Sequence, residues 1–233
     1  LRRNNCKQRL MIDSTRLTDP YIYVADNMLS EDKCKQIINK FDKKNKQQFQ
    51  GRTASGTDKA IKNSMDIHVS TAKGWKREDK LFHDIVNKGH EFYYSHLNSP
   101  MVSNFVHFTN PNERHIYSPF YSDSLELMDT GYQIQKTEPG KGYVWHDDYN
   151  EYGSAETGPI IRYLTFILYL NTVEEGWTQF YNGDQVSPRT GRLVFFPATW
   201  TYVHQGYPPK QTKYIMTGWM HTKIKSPKQD GKN

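Results

Sequence analysis

The chain has 233 residues, 36% of them hydrophobic and 14% aromatic, with a formal net charge of +6. That length suits one well-buried core, in the range that all-β barrels and sandwiches occupy as single domains, and so many aromatics exclude a disordered chain. The lysines are scattered or gathered near the ends rather than set in one basic stripe, so a solvated surface is expected and no nucleic-acid partner.

Cys6 and Cys34 are too few for a disulfide framework, and no Cys/His cluster suggests zinc. No stretch approaches the roughly 18 apolar residues of a membrane span, and the first residues lack an apolar signal region. The expectation is a cytoplasmic protein with no membrane partner; oligomeric state is not legible.

In chain order, residues 1–18 are polar and are expected to fray or lie along the surface. Tyr21 to Val24 reads as a short strand. Ser30 is a good N-cap for a helix with Glu31 and Asp32 in its first turn and Cys34, Ile37, Ile38 and Phe41 at helical spacing. Residues 43–59, polar and carrying Gly51 and Gly56, read as a loop. Ile61 to Ser70 alternates as a strand, with Met65, Ile67 and Val69 on one side and Asp66 and His68 on the other, where His68 is expected to face solvent. A second helix is expected over Lys76 to Leu97, with Leu81, Ile85, Phe92 and Leu97 as its apolar stripe and His83, His90 and His96 as surface or packing residues. Residues 99–131 give no clear element.

The remainder reads as strands: Tyr132 to Lys136, Tyr143 to Asp148, Ile160 to Leu170, Thr178 to Tyr181, Leu193 to Pro197, Tyr202 to His204 and Lys213 to His221. The tail from Lys223 is polar and basic.

Chemistry concentrates in this β-rich half. On an extended segment His146 and Asp148, two apart, point to the same face and can grip one ion. With His204 they would complete a 2-His-1-carboxylate triad, which leaves open positions on an octahedral Fe(II). The strand from Arg162 to Leu170 places Tyr163, Thr165, Ile167 and Tyr169 on one face and Leu164, Phe166, Leu168 and Leu170 on the other. The oily face would meet helices, and the hydroxyl face either lines a polar cavity or faces water. Lys213 heads a strand face continued by Ile215, Thr217 and Trp219; it could neutralise a buried carboxylate or be an exposed charge.

In order, Tyr143, His146, Asp148, Arg162, Thr165, Tyr169, Leu170, Gly191, Phe196, Pro197, His204, Lys213 and Trp219 follow one multi-part pattern. With it the C-terminal half resembles the catalytic core of the prolyl 4-hydroxylase-type 2-oxoglutarate- and Fe(II)-dependent dioxygenases. The segment Tyr21 to Phe41 resembles that family's N-terminal strand and helix. The resemblance departs at Glu175-Gly176-Trp177-Thr178, where the family usually has Gly-Gly-Glu-Thr, and at Gln135, where it commonly has a Tyr.

The resemblance implies a mainly β fold with flanking α-helices, a double-stranded β-helix of jelly-roll or cupin-like form. It implies one dioxygenase domain over residues 1–233: a supporting part (1–131), a catalytic core (132–221) and a polar tail (222–233). It implies His146, Asp148 and His204 as iron ligands and Lys213 as the partner of the 2-oxoglutarate C5 carboxylate, assisted by Thr165 and Tyr169. Tyr143, Gln135 and Trp219 would complete the cosubstrate site. Cofactors would be Fe(II), 2-oxoglutarate and O2, with ascorbate a further candidate. The implied reaction is hydroxylation of a substrate, peptidyl proline by family default, with oxidative decarboxylation of 2-oxoglutarate to succinate and CO2. The partner would be a proline-containing peptide or protein, selected by loops 47–59, 99–131 and 149–159. Hydroxylation of another residue or a small molecule, and a silent metal- or peptide-binding barrel, are the alternatives.

Overall fold

The computed structural model describes residues 13–97, 99, 125–154 and 158–224. Two antiparallel sheets and two helices form three layers among these residues. The larger sheet runs in the order β1 (Tyr23–Ala25), β11 (Leu193–Pro197), β8 (Gly158–Tyr169), β13 (Lys213–Ile224), β5 (Gln133–Thr137), β3 (Met65–His68) and β2 (Phe49–Gln50). Beside this path β4 (Leu125–Asp129) pairs with β13, and β7 (Glu151–Ser154) with β8. The smaller sheet is β10 (Gln185–Val186), β9 (Thr178–Phe180), β12 (His204–Gly206) and β6 (Tyr143–His146). The arrangement is consistent with a jelly roll, without a closed hydrogen-bonded barrel among the described residues.

The period-2 pattern of β8 decides the layering. Leu164, Phe166 and Leu168 pack with Cys34, Ile37 and Phe41 of α1 (Glu31–Lys43) and with Phe82, Ile85, Val86 and Tyr93 of α2 (Lys76–Leu97). On the opposite face Ile167 and Tyr169 meet Phe180 and Val186 of the smaller sheet and Val194 and Phe196 of β11. This second core fills only one end of the space between the sheets. Away from it the inward rows turn polar: one register line runs from Tyr169 and Ile215 to Gln135 and Asp66, and the next from Ile167 to Thr217, Gln133 and His68. Polar side chains cannot close-pack without partners, and there the sheets enclose a cavity of about 620 Å³.

Helix α1 begins where expected: Ser30 is extended and its hydroxyl accepts the Lys33 N–H. Helix α2 has the expected bounds but not the expected stripe. Its buried line is Phe82, Ile85, Val86, Gly89 and Tyr93, while Phe92 is 40% exposed and Leu81 and Leu97 are only half-buried. The reason is Gly89, where the helix lies so close to β11 that an added Cβ would come 2.4 Å from Leu193 Cδ2.

Other expectations are corrected. Residues 43–59 are not all loop: α1 runs to Lys43, a 3-10 turn covers Asn45–Gln47, and Phe49 and Gln50 form β2. Tyr163 does not face the cavity. Between Met220 and His221 the pairing of β13 with β8 slips by one residue, since Leu164 pairs with Met220 and Arg162 with His221. The extra residue in β8 is a bulge, which turns Tyr163 toward His90 of α2 (2.8 Å) and Arg162 into the cavity. Asp66 is fully buried rather than paired with His68 on a solvent face, because Lys62, Ser64 and Gln133 surround it. β12 begins rather than ends at His204, and β7 lies within the expected loop 149–159. β13 carries the chain to Ile224, into the expected tail. Cys6, most of loop 99–131 and the tail beyond Ile224 lie outside the described residues. None of the helices is long and apolar enough to cross a membrane among the described residues.

Candidate metal centre and its cavity

Register brings the two histidines together. β12 lies between β9 and β6, and His204 pairs directly with His146, so both imidazoles enter the cavity from neighbouring strands with ring centres 4.3 Å apart. Asp148, two residues beyond His146, is buried, whereas Asp147 is exposed and accepts the backbone N–H of Tyr149 (3.0 Å).

Backbone carbonyls fix both rings. His146 Nδ1 lies 2.8 Å from Val144 O and His204 Nδ1 lies 2.9 Å from Tyr202 O. A carbonyl can only accept, so each Nδ1 carries the proton and each Nε2 turns its lone pair inward. Those atoms stand 3.9 and 3.6 Å from the Asp148 carboxylate oxygens, and one ligand atom from each residue lies within 4.8 Å of the others. The Thr165 hydroxyl donates to Asp148 Oδ2 (2.7 Å). Tyr143 stacks on His146 at 3.5 Å, and Phe196 meets His204 edge-on.

The electrostatics of His146 and Asp148 suit a cation. Burial, with His204 alongside, pushes His146 down to about 4. Burial would raise Asp148, but His204, His146 and the Thr165 hydroxyl outweigh it and bring its carboxyl below the ordinary value. Two imidazoles that present Nε2 to one point and a carboxylate beside them are the donor set of a facial-triad Fe(II) site, so the residues fit that metal.

Deeper in the same cavity lies Lys213. It is 5% exposed, and its Nζ donates to Gly176 O (2.7 Å). Among the described residues no carboxylate forms an ion pair with it, and burial pushes its ammonium down to about 8. The loop that aims Gly176 O at it uses successive positive φ angles at Glu175 (59°) and Gly176 (67°), and a Cβ on Gly176 would come 2.7 Å from Pro209.

Of the other residues named from the sequence, Tyr143, Gln135, Tyr169 and Trp219 line this cavity. The Tyr169 hydroxyl bonds to Thr178 (2.7 Å), and Thr165 turns to Asp148. His68 lies at the mouth, stacked on Phe49 (4.7 Å) and outside the triad. His83, His90 and His96 bond to Asp129, Tyr163 and the Pro20 carbonyl respectively. Sequence reading missed the cavity roles of Arg162, whose guanidinium lies 3.7 Å over the Trp219 ring, and of Lys62, Ser64 and Gln133. The bulge hid the first. The alternation Lys62-x-Ser64-x-Asp66 was the available signal for the cluster.

Residues 132–221 match the family model of the 2OG-Fe(II) oxygenase superfamily. A search of curated proteins finds no match to the sequence. Among solved structures, the viral collagen prolyl hydroxylase of Paramecium Bursaria Chlorella virus-1, in complex with 2OG, is 20% identical, with 86% of this chain and 96% of that chain covered and a TM-score of 0.54. A prolyl hydroxylase from Trichoplax adhaerens, in complex with a hypoxia inducible factor peptide fragment, is 16% identical over 86% and 83% of the two chains, with a TM-score of 0.60. A Pseudomonas putida prolyl-4-hydroxylase is 15% identical over 85% and 91%, with a TM-score of 0.54. In sequence, residues 132–221 thus resemble the 2OG-Fe(II) oxygenase superfamily, whose members work with Fe(II), 2-oxoglutarate and O2, and in fold most of the chain resembles these prolyl hydroxylases.

Proposed function

We propose that the protein is a 2-oxoglutarate- and Fe(II)-dependent dioxygenase that hydroxylates peptidyl proline, and that residues 1–233 act as one domain with 132–221 as its catalytic core. The observation that carries the 2-oxoglutarate reading is Lys213: a buried cation with no carboxylate partner among the described residues, in the same cavity as His146, Asp148 and His204. A buried ammonium is costly alone and becomes favourable when a ligand brings the missing carboxylate.

His146, Asp148 and His204 would hold the iron, and Lys213 the C5 carboxylate of 2-oxoglutarate. Bound iron, with 2-oxoglutarate and O2, supplies the oxidising chemistry that yields succinate, CO2 and a hydroxylated product. The chain's own contribution is placement. Val144 O and Tyr202 O hold the imidazole tautomers, Thr165 orients Asp148, and Tyr143 and Phe196 fix the ring planes. Tyr169, bonded to Thr178, and Ile215 form the wall beside Lys213, and Gln135 continues it. Thr165 therefore serves the iron ligand in this reading rather than the C5 carboxylate. Arg162 and Trp219, stacked at the iron-side wall, bound the space left for substrate.

Prolyl specificity draws its support from the structural relatives, one described as a collagen prolyl hydroxylase and another as a prolyl hydroxylase in complex with a hypoxia inducible factor peptide fragment. The test is mass spectrometry of proline-rich peptides incubated with protein, Fe(II), 2-oxoglutarate and ascorbate. A gain of one oxygen on proline is expected. Succinate formation with no modified peptide would keep the dioxygenase and reject the substrate; no succinate at all would favour a silent barrel.

A further inference from the structure

We propose that Lys62 and Asp66 are positioning residues for the metal centre: their ion pair clasps the free edge of the smaller sheet to the larger one and so holds β6, with His146, in place. The inference rests on the metal-site reading above.

β6 is the edge strand of the smaller sheet. Its open side is taken by residues 61–63: Lys62 bridges to Tyr143, Val144 N–H donates to Ile61 O and Asn63 N–H donates to Gly142 O (both 3.0 Å). Two residues further on, the chain enters β3 of the larger sheet, where Asp66 pairs in register with Gln135. The Lys62 Nζ to Asp66 Oδ2 contact (3.0 Å) therefore spans the two sheets on the open side of the cavity, where no apolar core joins them.

The cluster is closed and tightly built. The side chains of Lys62 and Asp66 are 6% and 0% exposed. Asp66 also accepts from Ser64 Oγ (2.8 Å) and Gln133 Nε2 (2.5 Å), the latter from β5. Gly51 sits against it so closely that an added Cβ would lie 2.4 Å from Ser64 Oγ and 3.1 Å from Asp66 Oδ2. From Lys62 the path to the iron ligand is short: Nζ lies 5.6 Å from the Tyr143 ring centre, and that ring stacks on His146.

A buried ion pair is weak evidence of stabilisation, because desolvation of both charges offsets their attraction. What it does supply is a fixed distance and direction. The pair is net neutral, so removing both charges leaves the net charge near the metal unchanged but takes away the Lys62 charge felt at His146; the cobalt spectrum, which follows ligand geometry, is therefore the readout that reports position.

The test is Co(II) binding to the full chain without iron, followed by calorimetry and by the visible spectrum of bound cobalt, beside the thermal midpoint. Lys62→Met with Asp66→Asn keeps both volumes and removes both charges together. The expected result is cobalt affinity weakened about 10-fold with an altered spectrum, as for other residues that orient metal ligands, while Lys62→Arg retains near wild-type affinity. If the double variant does not fold, Lys62→Gln with Asp66→Asn, which also removes both charges, is read the same way. Cobalt affinity and spectrum unchanged from wild type, whatever the midpoint does, would overturn the proposal and leave the metal reading intact. Failure of the wild type itself to bind cobalt would remove the metal reading and this inference with it.

Discussion

Substituting Lys213 by Met should separate ligand binding from stability. In the free protein the ammonium is buried and its pKa falls from 10.5 to about 8, caused by burial. At about 1.4 kcal/mol per unit, the charged form costs about 3 kcal/mol relative to the unfolded chain near neutral pH. Methionine removes that cost and loses one charged hydrogen bond to Gly176 O, about 1.5–3 kcal/mol. The two nearly cancel, so Lys213→Met without ligand should match the wild type within about 1 kcal/mol, where breaking an established buried ion pair would cost about 3–5 kcal/mol. Ligand reverses the comparison. 2-Oxoglutarate at 100 times its Kd stabilises the wild type by about 2.7 kcal/mol, which is about 5–10 °C for a chain of this size, and the variant should show almost none of that shift.

The pH dependence has a definite sign. A depressed lysine pKa means that the folded apo protein binds fewer protons than the unfolded chain between about pH 8 and 10.5, so this group makes apo stability rise with pH across that window. 2-Oxoglutarate affinity should fall as pH rises above about 8, because the carboxylate needs the charged lysine. Thermal shift with and without 2-oxoglutarate, under nitrogen with Mn(II), measures both. A variant destabilised by 3 kcal/mol or more without ligand, or one keeping the full ligand shift, would refute the argument.

Asp148→Ala should abolish Co(II) binding and 2-oxoglutarate turnover while Asp147→Ala leaves both, and equal loss in the two would undo the ligand assignment. Gly89→Ala forces a methyl against Leu193 and Phe195 and should cost about 1–3 kcal/mol in urea unfolding; no change would show that α2 can slide on β11. Arg192 beside Asp13 holds that carboxyl well below its usual range, and its guanidinium also grips Asp26. A depressed carboxylate pKa contributes stability that is complete above the unfolded value of about 3.9 and is lost as pH falls below it. Asp13→Asn should therefore lower the midpoint at pH 7 by a few degrees, with the difference from wild type shrinking below about pH 4; a constant difference across pH would contradict the pairing. Asp13 is 30% exposed, which keeps this contribution near 1 kcal/mol.

What was legible in the sequence is what strict periodicity carries. Leu164, Phe166 and Leu168 alternate with Thr165, Ile167 and Tyr169, and the two cores divide along that line. His146 and Asp148 share a face for the same reason, and Asp147 does not. Tyr163 shows where the rule ends, because a one-residue bulge depends on how two strands pair and leaves no mark in either alone. The α2 stripe was misread because Gly89 buries a close approach without an apolar side chain, and Tyr93 is fully buried with its hydroxyl near the Tyr21 carbonyl. The short strands β2 and β10, two residues each, are too brief to show a period. The Lys62 and Asp66 cluster stayed hidden because charged residues read as solvated until tertiary structure pairs them.

On the proposed reading, His146, Asp148, His204 and Lys213 together hold iron and 2-oxoglutarate for oxidation. Succinate formation from 2-oxoglutarate, followed in wild type, His204→Ala and Lys213→Met with and without added Fe(II), tests it most directly. Iron-dependent succinate is expected from the wild type alone, with Lys213→Met recovering only at far higher 2-oxoglutarate. Iron-independent succinate, or turnover that survives His204→Ala, would contradict it.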